Sequence, residues 1–346
     1  MRGVFFKKFM LIFATVGHTT LAEDQIRKIV LAGADVIRYN FAYRNISENI
    51  ELVCTAQRII EELNSSAQIL IDFPLNKIRL GDFDIKIFAV RENQELILKS
   101  APFSPNCYEY IPVDTQLLGQ KVYVDQTITI GDGEISMQVI EILNTDTIKV
   151  KILNNGVINY IKTFNCKYRI SEEVILKLYD ETLEKISMIG PDKIAISFIN
   201  FETNEKIKQL ILSKNIQPKV IIKIEYGINE SELEKICLDN FYNAILIDRG
   251  ELGVNEPFEK LGYYQDLIIK TAKKFNKRII VSTQILESTI YNYIPSRSDI
   301  NDLTEIIRSG VDGIMFCMET SSSIRPAYPI SVAKKIILEI QSHKKI

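Results

Sequence analysis

Eight short apolar runs recur along the 346-residue chain, and most are separated by stretches with the periodicity of an amphipathic helix. Such runs, apolar throughout, are typical of strands buried on both faces of a parallel sheet. Eight strand-helix units with right-handed crossovers predict an α/β fold, a (β/α)8 TIM barrel, with a doubly wound open sheet as the alternative. The predicted strands are Phe9–Val16, Asp35–Phe41, Gln68–Phe73, Lys193–Phe198, Lys219–Glu225, Asn243–Asp248, Arg278–Thr283 and Gly313–Cys317.

Helix signals fill most of the intervals between these runs. Asn229 precedes one helix as an N-cap, and acidic residues follow in its first turns. Ser47 and Thr203 also have the chemistry of helix starts, and Gly33 and Gly310 stand where C-terminal caps are expected. The predicted helices are Leu21–Ala32, Ser47–Leu63, Asp180–Ile189, Thr203–Ser213, Asn229–Cys237, Pro257–Asn276, Asp299–Ser309 and Ile330–Gln341.

One interval, after the third predicted strand, breaks this alternation. It contains short alternating runs without a strong helical pattern, separated by turn signals such as Asp132-Gly133. The interval is too long for a plain loop in a compact domain. We therefore predict barrel residues 1–83, a small all-β domain at 84–166 inserted after the third strand, and barrel residues 167–346. Inserted domains at the C-terminal face of a barrel often act as lids that exclude water.

Composition disfavours several classes of protein. The chain has 42 basic and 44 acidic residues, so neither nucleic acid nor an anionic membrane is an expected partner. Two histidines argue against a histidine-rich metal site, and the P-loop signature is absent. The five cysteines are odd in number and scattered, which suits a reducing compartment, so we expect a cytoplasmic protein. A homo-oligomer is compatible with the sequence, which does not specify the number of subunits.

Charged residues end two neighbouring apolar runs between positions 219 and 253. Lys223 and Glu225 end the first run, and Glu251 follows the second. The C-terminal ends of barrel strands point into the active site, so Glu225 and Glu251 could converge on one hard cation such as Mg²⁺. The alternative is that these are solvated charges where strands meet loops.

Several motifs, in order, resemble those of the pyruvate kinase family over nearly the whole chain. The family's K-I-E-N strand end is similar to residues 223–226, and its A-R-G-D-L-G loop is similar to residues 248–253, where aspartate replaces the alanine. Four further family motifs have counterparts here. A-R-x-N-F-S-H is similar to residues 37–43, and A-T-Q-M-L-E-S-M is similar to residues 282–289. P-T-R-A-E is similar to residues 295–299, and G-E-T is similar to residues 318–320.

The resemblance implies a (β/α)8 barrel with a β-domain after its third strand, and a divergent member without the family's C-terminal domain. It implies phosphoryl transfer from phosphoenolpyruvate to ADP, giving pyruvate and ATP, with Mg²⁺ or Mn²⁺. One alternative is an enzyme on the same scaffold that uses phosphoenolpyruvate, pyruvate or another 2-oxo acid with a non-nucleotide partner. The other alternative is a pseudoenzyme that binds without catalysis.

The resemblance also implies roles for individual residues. Lys223, Arg38 and Thr283 would be catalytic: Lys223 would face the phosphoryl group, Arg38 would clamp phosphate, and Thr283 would lie near the substrate carboxylate. Glu225 and Glu251 would hold the metal. Alternatively, Lys223 pairs with a neighbouring glutamate and Arg38 forms a structural salt bridge. The substrate-binding residues implied are Arg38, Lys223, Gly250, Glu251 and Thr283.

Departures from the family pattern concentrate on the nucleotide and potassium sides of the site. Asn40 and Arg79 remain on the nucleotide side, whereas His18 and Tyr43 replace family residues there. Of the side chains that the family uses for potassium, Asn40 and Asp72 remain and two are lost. Lys77 stands where family members that work without potassium have a lysine. The resemblance therefore implies that potassium is not required.

Overall fold

The computed structural model describes residues 10–73, 78–85, 87–131, 133–159, 162–166, 168, 170–214 and 216–343. The chain divides into two compact units, Met1–Pro74 with Leu176–Ile346, and Leu75–Ile175. The second unit is wider at both ends than the predicted range 84–166. At its start the reason is strand pairing, because residues 79–80 and 82–83 pair with later strands of the same unit.

The first unit begins with two strand-helix repeats and a third strand. The predicted cap at Ser47 is wrong, because the side chain of Asn45 accepts the N–H of Glu48 at 2.9 Å and Ser47 lies inside the helix. Gly33 follows the first helix with φ +85°, a conformation that favours glycine. These elements are β1 (Leu11–Val16), α1 (Glu23–Leu31), β2 (Val36–Asn40), α2 (Ile46–Glu62) and β3 (Gln68–Asp72).

The second unit is built of short strands that surround their own apolar core. Seven of them form one sheet in the order β14-β10-β11-β12-β7-β9-β4, and the others pair as β13-β6 and β5-β8. The strands are β4 (Arg79–Leu80), β5 (Asp82–Phe83), β6 (Ile87–Val90), β7 (Glu95–Ser100), β8 (Phe103–Ser104), β9 (Ile111–Asp114), β10 (Thr127–Ile130), β11 (Ile135–Asn144), β12 (Thr147–Ile152), β13 (Gly156–Asn159) and β14 (Phe164–Asn165).

The chain then returns to the first unit and completes its strand-helix repeats. Two predicted helix starts are wrong: α3 begins eight positions before Asp180, and α4 is capped by Asn200 instead of Thr203. The elements are α3 (Glu172–Ile186), β15 (Lys193–Ser197), α4 (Phe201–Ser213), β16 (Lys219–Ile224), α5 (Glu230–Leu238), β17 (Tyr242–Asp248), α6 (Arg249–Asn255), α7 (Leu261–Lys274), β18 (Arg278–Ser282), α8 (Arg297–Arg308), β19 (Gly313–Phe316), α9 (Met318–Ser321) and α10 (Ala327–His343).

Eight parallel strands close into a barrel in the order β1-β19-β18-β17-β16-β15-β3-β2. The predicted (β/α)8 barrel is confirmed, and the open sheet is excluded because β1 pairs with both β19 and β2. Among the described residues, no helix combines the length and the apolar character that crossing a membrane requires. One apolar layer is made of Phe13, Val36, Leu70, Ala195, Ile221, Ala244, Leu246, Ile280 and Met315.

Candidate active site

Charged side chains replace the apolar layer toward the C-terminal ends of the barrel strands. Arg38 lies two residues after Val36 on β2, and Lys223 lies two residues after Ile221 on β16. Because side chains two positions apart share one face of a strand, both cations are on the same face of their strands as the apolar layer. Arg38, Asp72, Lys223 and Glu225 are each 7% exposed or less.

These four residues form one connected set of ion pairs. Asp72, at the end of β3, receives Arg38 Nε and Nη2 on Oδ2 at 2.9 and 2.6 Å, and its Oδ1 lies 2.9 Å from Lys223 Nζ. Lys223 Nζ also donates to Glu225 Oε1 at 3.1 Å. Both structural alternatives raised from the sequence are therefore present: Lys223 pairs with a neighbouring glutamate, and Arg38 forms a salt bridge. The forked edge of Arg38, expected to clamp phosphate, binds Asp72.

The opposite charges fix the protonation states of this cluster. Burial alone would lower the pKa of Lys223, but the charges of Asp72, Glu225 and Asp248 raise it above its usual value. Burial alone would raise the pKa of Asp72, and the charges of Lys223 and Arg38 instead hold it below its usual value. The site therefore carries two fixed positive charges, on Arg38 and Lys223, beside the ionised carboxylate of Asp72 at neutral pH.

A second group of side chains surrounds Thr283, directly after β18. The hydroxyl of Thr283 donates to Asp248 Oδ1 at 3.0 Å and lies 4.0 Å from Cys317 Sγ. Cys317 Sγ is 3.8 Å from Arg38 Nη1, which also donates to Thr15 Oγ1 at 3.0 Å. Burial raises the pKa of the Cys317 thiol to about 12, so the thiol is protonated at neutral pH. The two groups thus meet at Arg38.

The backbone at Thr283 has a conformation that β-branched residues rarely adopt. Its φ is +74°, and that of Gln284 is +54°. Arg249 donates to the carbonyl of Thr283 from Nη2 at 2.8 Å and to the carbonyl of Gln284 at 3.0 Å, while Asp302 binds the same guanidinium in a forked manner. These contacts hold the loop and fix the direction of the Thr283 side chain.

A buried carboxylate joins this loop to the one after β19. Glu319 is 1% exposed, and its two oxygens accept the backbone N–H groups of Ile285 at 2.8 Å and Cys317 at 2.7 Å. Burial raises the pKa of Glu319 to about 7. Glu319 therefore positions the loops that carry Thr283 and Cys317.

The two carboxylates predicted to hold a divalent cation lie at the ends of neighbouring strands. Glu225 follows β16, and Glu251 lies in the first turn of α6, which follows the neighbouring strand β17. No group of three or more His, Cys, Asp or Glu side chains in the described ranges is arranged to hold a metal ion. Two hard oxygen donors fit Mg²⁺, which commonly takes one or two carboxylates and completes its shell with water and substrate phosphate.

The structure also places most of the remaining predicted residues. Asn40 ends β2 and its Oδ1 accepts the N–H of Ala42 at 3.0 Å. Asp72 belongs to the ion-pair set. Arg79 lies on β4 of the second unit, and Lys77 falls outside the described residues. A Cβ on Gly250 would lie 2.9 Å from Thr283 Cγ2, so the backbone of Gly250 approaches Thr283 closely.

Comparison with known proteins identifies the scaffold. The family model described as pyruvate kinase, barrel domain, matches residues 7–332. The chain belongs to the pyruvate kinase family. The pyruvate kinase of Thermotoga maritima is 30% identical over 332 residues, covering 95% of this chain and 70% of that protein. The pyruvate kinase of Thermococcus litoralis is 28% identical over 336 residues, covering 96% and 70%.

A solved pyruvate kinase shares the fold as well. The crystal structure of Cryptosporidium parvum pyruvate kinase matches with a TM-score of 0.84 and 24% identity, covering 97% of this chain and 71% of that chain. A second structure of a pyruvate kinase from the same organism matches with a TM-score of 0.76 at 24% identity, covering 97% and 70%. At this level of identity the likeness concerns the barrel and its inserted unit, and it does not extend to individual side chains.

Sequence reasoning missed four residues of the pyruvate kinase scaffold in this chain: Asp248, Arg249, Asp302 and Glu319. The contacts of Arg249 with Asp302 and of Glu319 with Ile285 join residues 53 and 34 positions apart, which no local pattern reveals. Asp248 did have a signal, because it stands where the quoted family loop has alanine.

Proposed function

We propose that this protein transfers the phosphoryl group of phosphoenolpyruvate to ADP, giving pyruvate and ATP, with a divalent cation held by Glu225 and Glu251. The observation that carries the proposal is the buried set of Arg38, Asp72 and Lys223 in a barrel that belongs to the pyruvate kinase family. Phosphoryl transfer needs little covalent help from the protein, and it depends on charges placed around the transferred group and the leaving oxygen.

The proposed roles follow from the charges of the side chains. Lys223 carries a positive charge that Asp72 and Glu225 hold in place, so it needs no reorientation as negative charge develops on the phosphoryl group. Arg38 adds a second positive charge, with Nη1 pointing toward Thr15 and Cys317. When bound, a divalent cation supplies Lewis-acid stabilisation of the phosphate and enolate oxygens. Thr283 would contact the substrate carboxylate.

The side chains around Asp72 support activity without potassium. Both oxygens of Asp72 are already bound by cations, Oδ1 by Lys223 and Oδ2 by Arg38. Phe73, which offers no side-chain oxygen, is buried and packs on Tyr179 at a ring-centroid distance of 4.9 Å. A monovalent cation placed here would have to compete with two fixed charges for the same carboxylate. We therefore expect equal pyruvate formation in sodium, potassium and tetramethylammonium buffers. Stimulation of about tenfold or more by potassium would contradict this part of the proposal.

The test is a coupled assay of pyruvate formation from phosphoenolpyruvate and ADP, with Mg²⁺ or Mn²⁺. A preparation from host cells without the gene, purified in the same way, controls for pyruvate kinase carried over from the expression host. Absence of pyruvate above this control, under all cation conditions, would contradict the proposal. Pyruvate formed without ADP would instead support a non-nucleotide acceptor, the alternative that the departures at His18 and Tyr43 favour.

A further inference from the structure

Asp248 adds a carboxylate at the point where the substrate carboxylate is expected to bind. It is the last residue of β17 and precedes α6 at the N-cap position, yet its side chain makes no capping hydrogen bond to the helix. Its Oδ1 instead accepts the hydroxyl of Thr283 at 3.0 Å. The ordinary explanation for an aspartate before a helix, that it caps the first turn, does not account for this orientation.

The contacts of Asp248 are with the groups proposed to receive the substrate. A Cβ placed on Gly250 would lie 3.5 Å from Thr283 Oγ1 and 3.6 Å from Asp248 Oδ1, so the three residues meet in one small volume. A threonine hydroxyl has one proton, and here it is directed to Asp248. While this hydrogen bond exists, Thr283 can accept a hydrogen bond from a ligand but cannot donate one to it.

The negative charge of Asp248 opposes the binding of a ligand carboxylate, as its hydrogen bond to Thr283 does. Asp248 adds its field to those of Asp72 and Glu225 at Lys223, and to that of Asp72 at Arg38. Two like charges at short range in a partly desolvated site repel each other strongly. A ligand carboxylate that approaches Thr283 therefore meets a negative charge that the alanine of the quoted family loop would not provide.

We propose that Asp248 is an internal carboxylate that competes with the ligand carboxylate for Thr283 and so sets the affinity of this site for carboxylate ligands. The inference rests on the proposed function, since it assumes that Thr283 and Gly250 face the substrate carboxylate. Asp248 is then a specificity-determining residue. It weakens the binding of small 2-oxo and enol acids, and replacing Asp248 strengthens that binding.

The direct test measures binding without turnover. Oxalate is a suitable probe, because it is a planar dianion that presents a carboxylate beside further anionic oxygens, as enolpyruvate does. Its affinity is measured by titration calorimetry with Mn²⁺ present, for the unmodified protein, for Asp248→Ala and for the isosteric Asp248→Asn. We expect the dissociation constant for oxalate to fall about tenfold in Asp248→Ala, which corresponds to about 1.4 kcal/mol. In Asp248→Asn we expect a smaller fall, because the charge is removed while the bulk remains.

Two controls separate this role from a general effect of charge or folding. Asp266→Asn, on the exposed face of α7, changes the net charge equally and should leave the dissociation constant for oxalate unchanged. In a Thr283→Val background no hydroxyl remains to compete for and only the charge repulsion is relieved, so Asp248→Ala should improve oxalate binding less than it does in the unmodified protein. In steady-state assays of Asp248→Ala, the fall in KM for phosphoenolpyruvate should exceed the change in kcat.

The outcomes distinguish this inference from the proposed function. Oxalate binding that is equal in the unmodified protein and both Asp248 variants would overturn the inference alone. Tighter oxalate binding in the variants, without pyruvate formation from phosphoenolpyruvate when ADP is supplied, would support the inference and contradict the proposed phosphoryl acceptor. If neither the unmodified protein nor any variant bound oxalate, both this inference and the proposed function would be contradicted.

Discussion

At the scale of single residues, the cluster at the C-terminal end of the barrel depends on Asp72. This carboxylate lies between two buried cations, Arg38 and Lys223, and pairs with both of them. Removing one partner of such a buried set typically costs about 3–5 kcal/mol, because a charge is left unpaired. Asp72 was identified from sequence only as a remnant of a potassium site. Its role as the link between the two cations became clear only from the distances.

Lys223 is the residue on which the proposed chemistry depends most. We predict that Lys223→Met lowers kcat for pyruvate formation by more than about tenfold, at least ~1.4 kcal/mol of barrier, while the fold persists. The matched control is Lys219→Met, at the exposed start of the same strand, which should retain activity. Circular dichroism would verify folding in both. Activity of Lys223→Met within tenfold of the unmodified protein would show that its charge is not the main electrostatic contribution.

The two glutamates proposed to hold the divalent cation lead to a separate prediction. Replacing Glu225 or Glu251 with glutamine keeps the shape of the side chain and removes the charge that a divalent cation needs. We expect each change to weaken Mn²⁺ binding by at least about tenfold, measured by titration of the free protein. Glu259→Gln, on the exposed surface near the start of α7, is the control and should bind Mn²⁺ as the unmodified protein does. Equal affinity in all four proteins would disprove the assignment.

At the scale of elements, strands were predicted more accurately than helices. Each barrel strand lies within two residues of its predicted bounds, because a run that is apolar on both faces is a local property of the sequence. The start of α3 at Glu172 was missed, and α6 was not predicted at all. Residues 249–255 contain two glycines, which have low helix propensity, and only their place after β17 makes them helical.

The loops after β18 and β19 are joined by Glu319, and this connection has a pH dependence. Its pKa is raised to about 7, so between pH 4.5 and 7 the folded state holds a proton that the unfolded chain releases. Stability from this group is present below pH about 4.5 and is lost as the pH rises through about 7. In the unmodified protein this group should make the free energy of unfolding fall between pH 5 and pH 8. In Glu319→Gln that fall should be smaller by roughly 1–3 kcal/mol.

Urea denaturation at the two pH values measures this difference. The exposed control, Glu259→Gln, should show the same pH dependence as the unmodified protein. An identical decrease in the unmodified protein and in Glu319→Gln would mean that Glu319 is ionised in the folded state throughout this range.

At the scale of the whole molecule, the opposite end of the barrel contains a destabilising charge. Lys193, the first residue of β15, is 6% exposed and donates to Gln68 Oε1 at 2.5 Å. Burial lowers its pKa to about 8, and the nearby charges of Lys219 and Arg278 contribute. Between pH about 8 and 10.5 the unfolded chain binds more protons than the folded protein, so the free energy of unfolding rises with pH in this window.

Lys193→Met should consequently raise the melting temperature at pH 7, where the folded protein must keep a buried ammonium group. The expected gain is about 1–3 kcal/mol, and it should shrink toward zero near pH 10.5. Scanning calorimetry at pH 7 and pH 10 tests both statements, with the exposed Lys270→Met, on α7 and away from Lys193, as control. A lower melting temperature for Lys193→Met at pH 7 would show that the hydrogen bond to Gln68 outweighs the desolvation of the charge.

The pairing of β1 with β19 also dictates the order in which the chain can fold during synthesis. The barrel cannot close until residues 313–316 have left the ribosome, because they are the partners of β1. Among the described residues, strands β4–β14 pair only with one another, so that unit can complete its hydrogen bonding earlier. Until β15 and β19 are made, β1 and β3 each keep one unpaired edge, whereas β2 already pairs with both of them. Unpaired edges are the surfaces on which nascent chains aggregate, so we expect the outer edges of β1 and β3 to be the ones that need cover during translation of the second half.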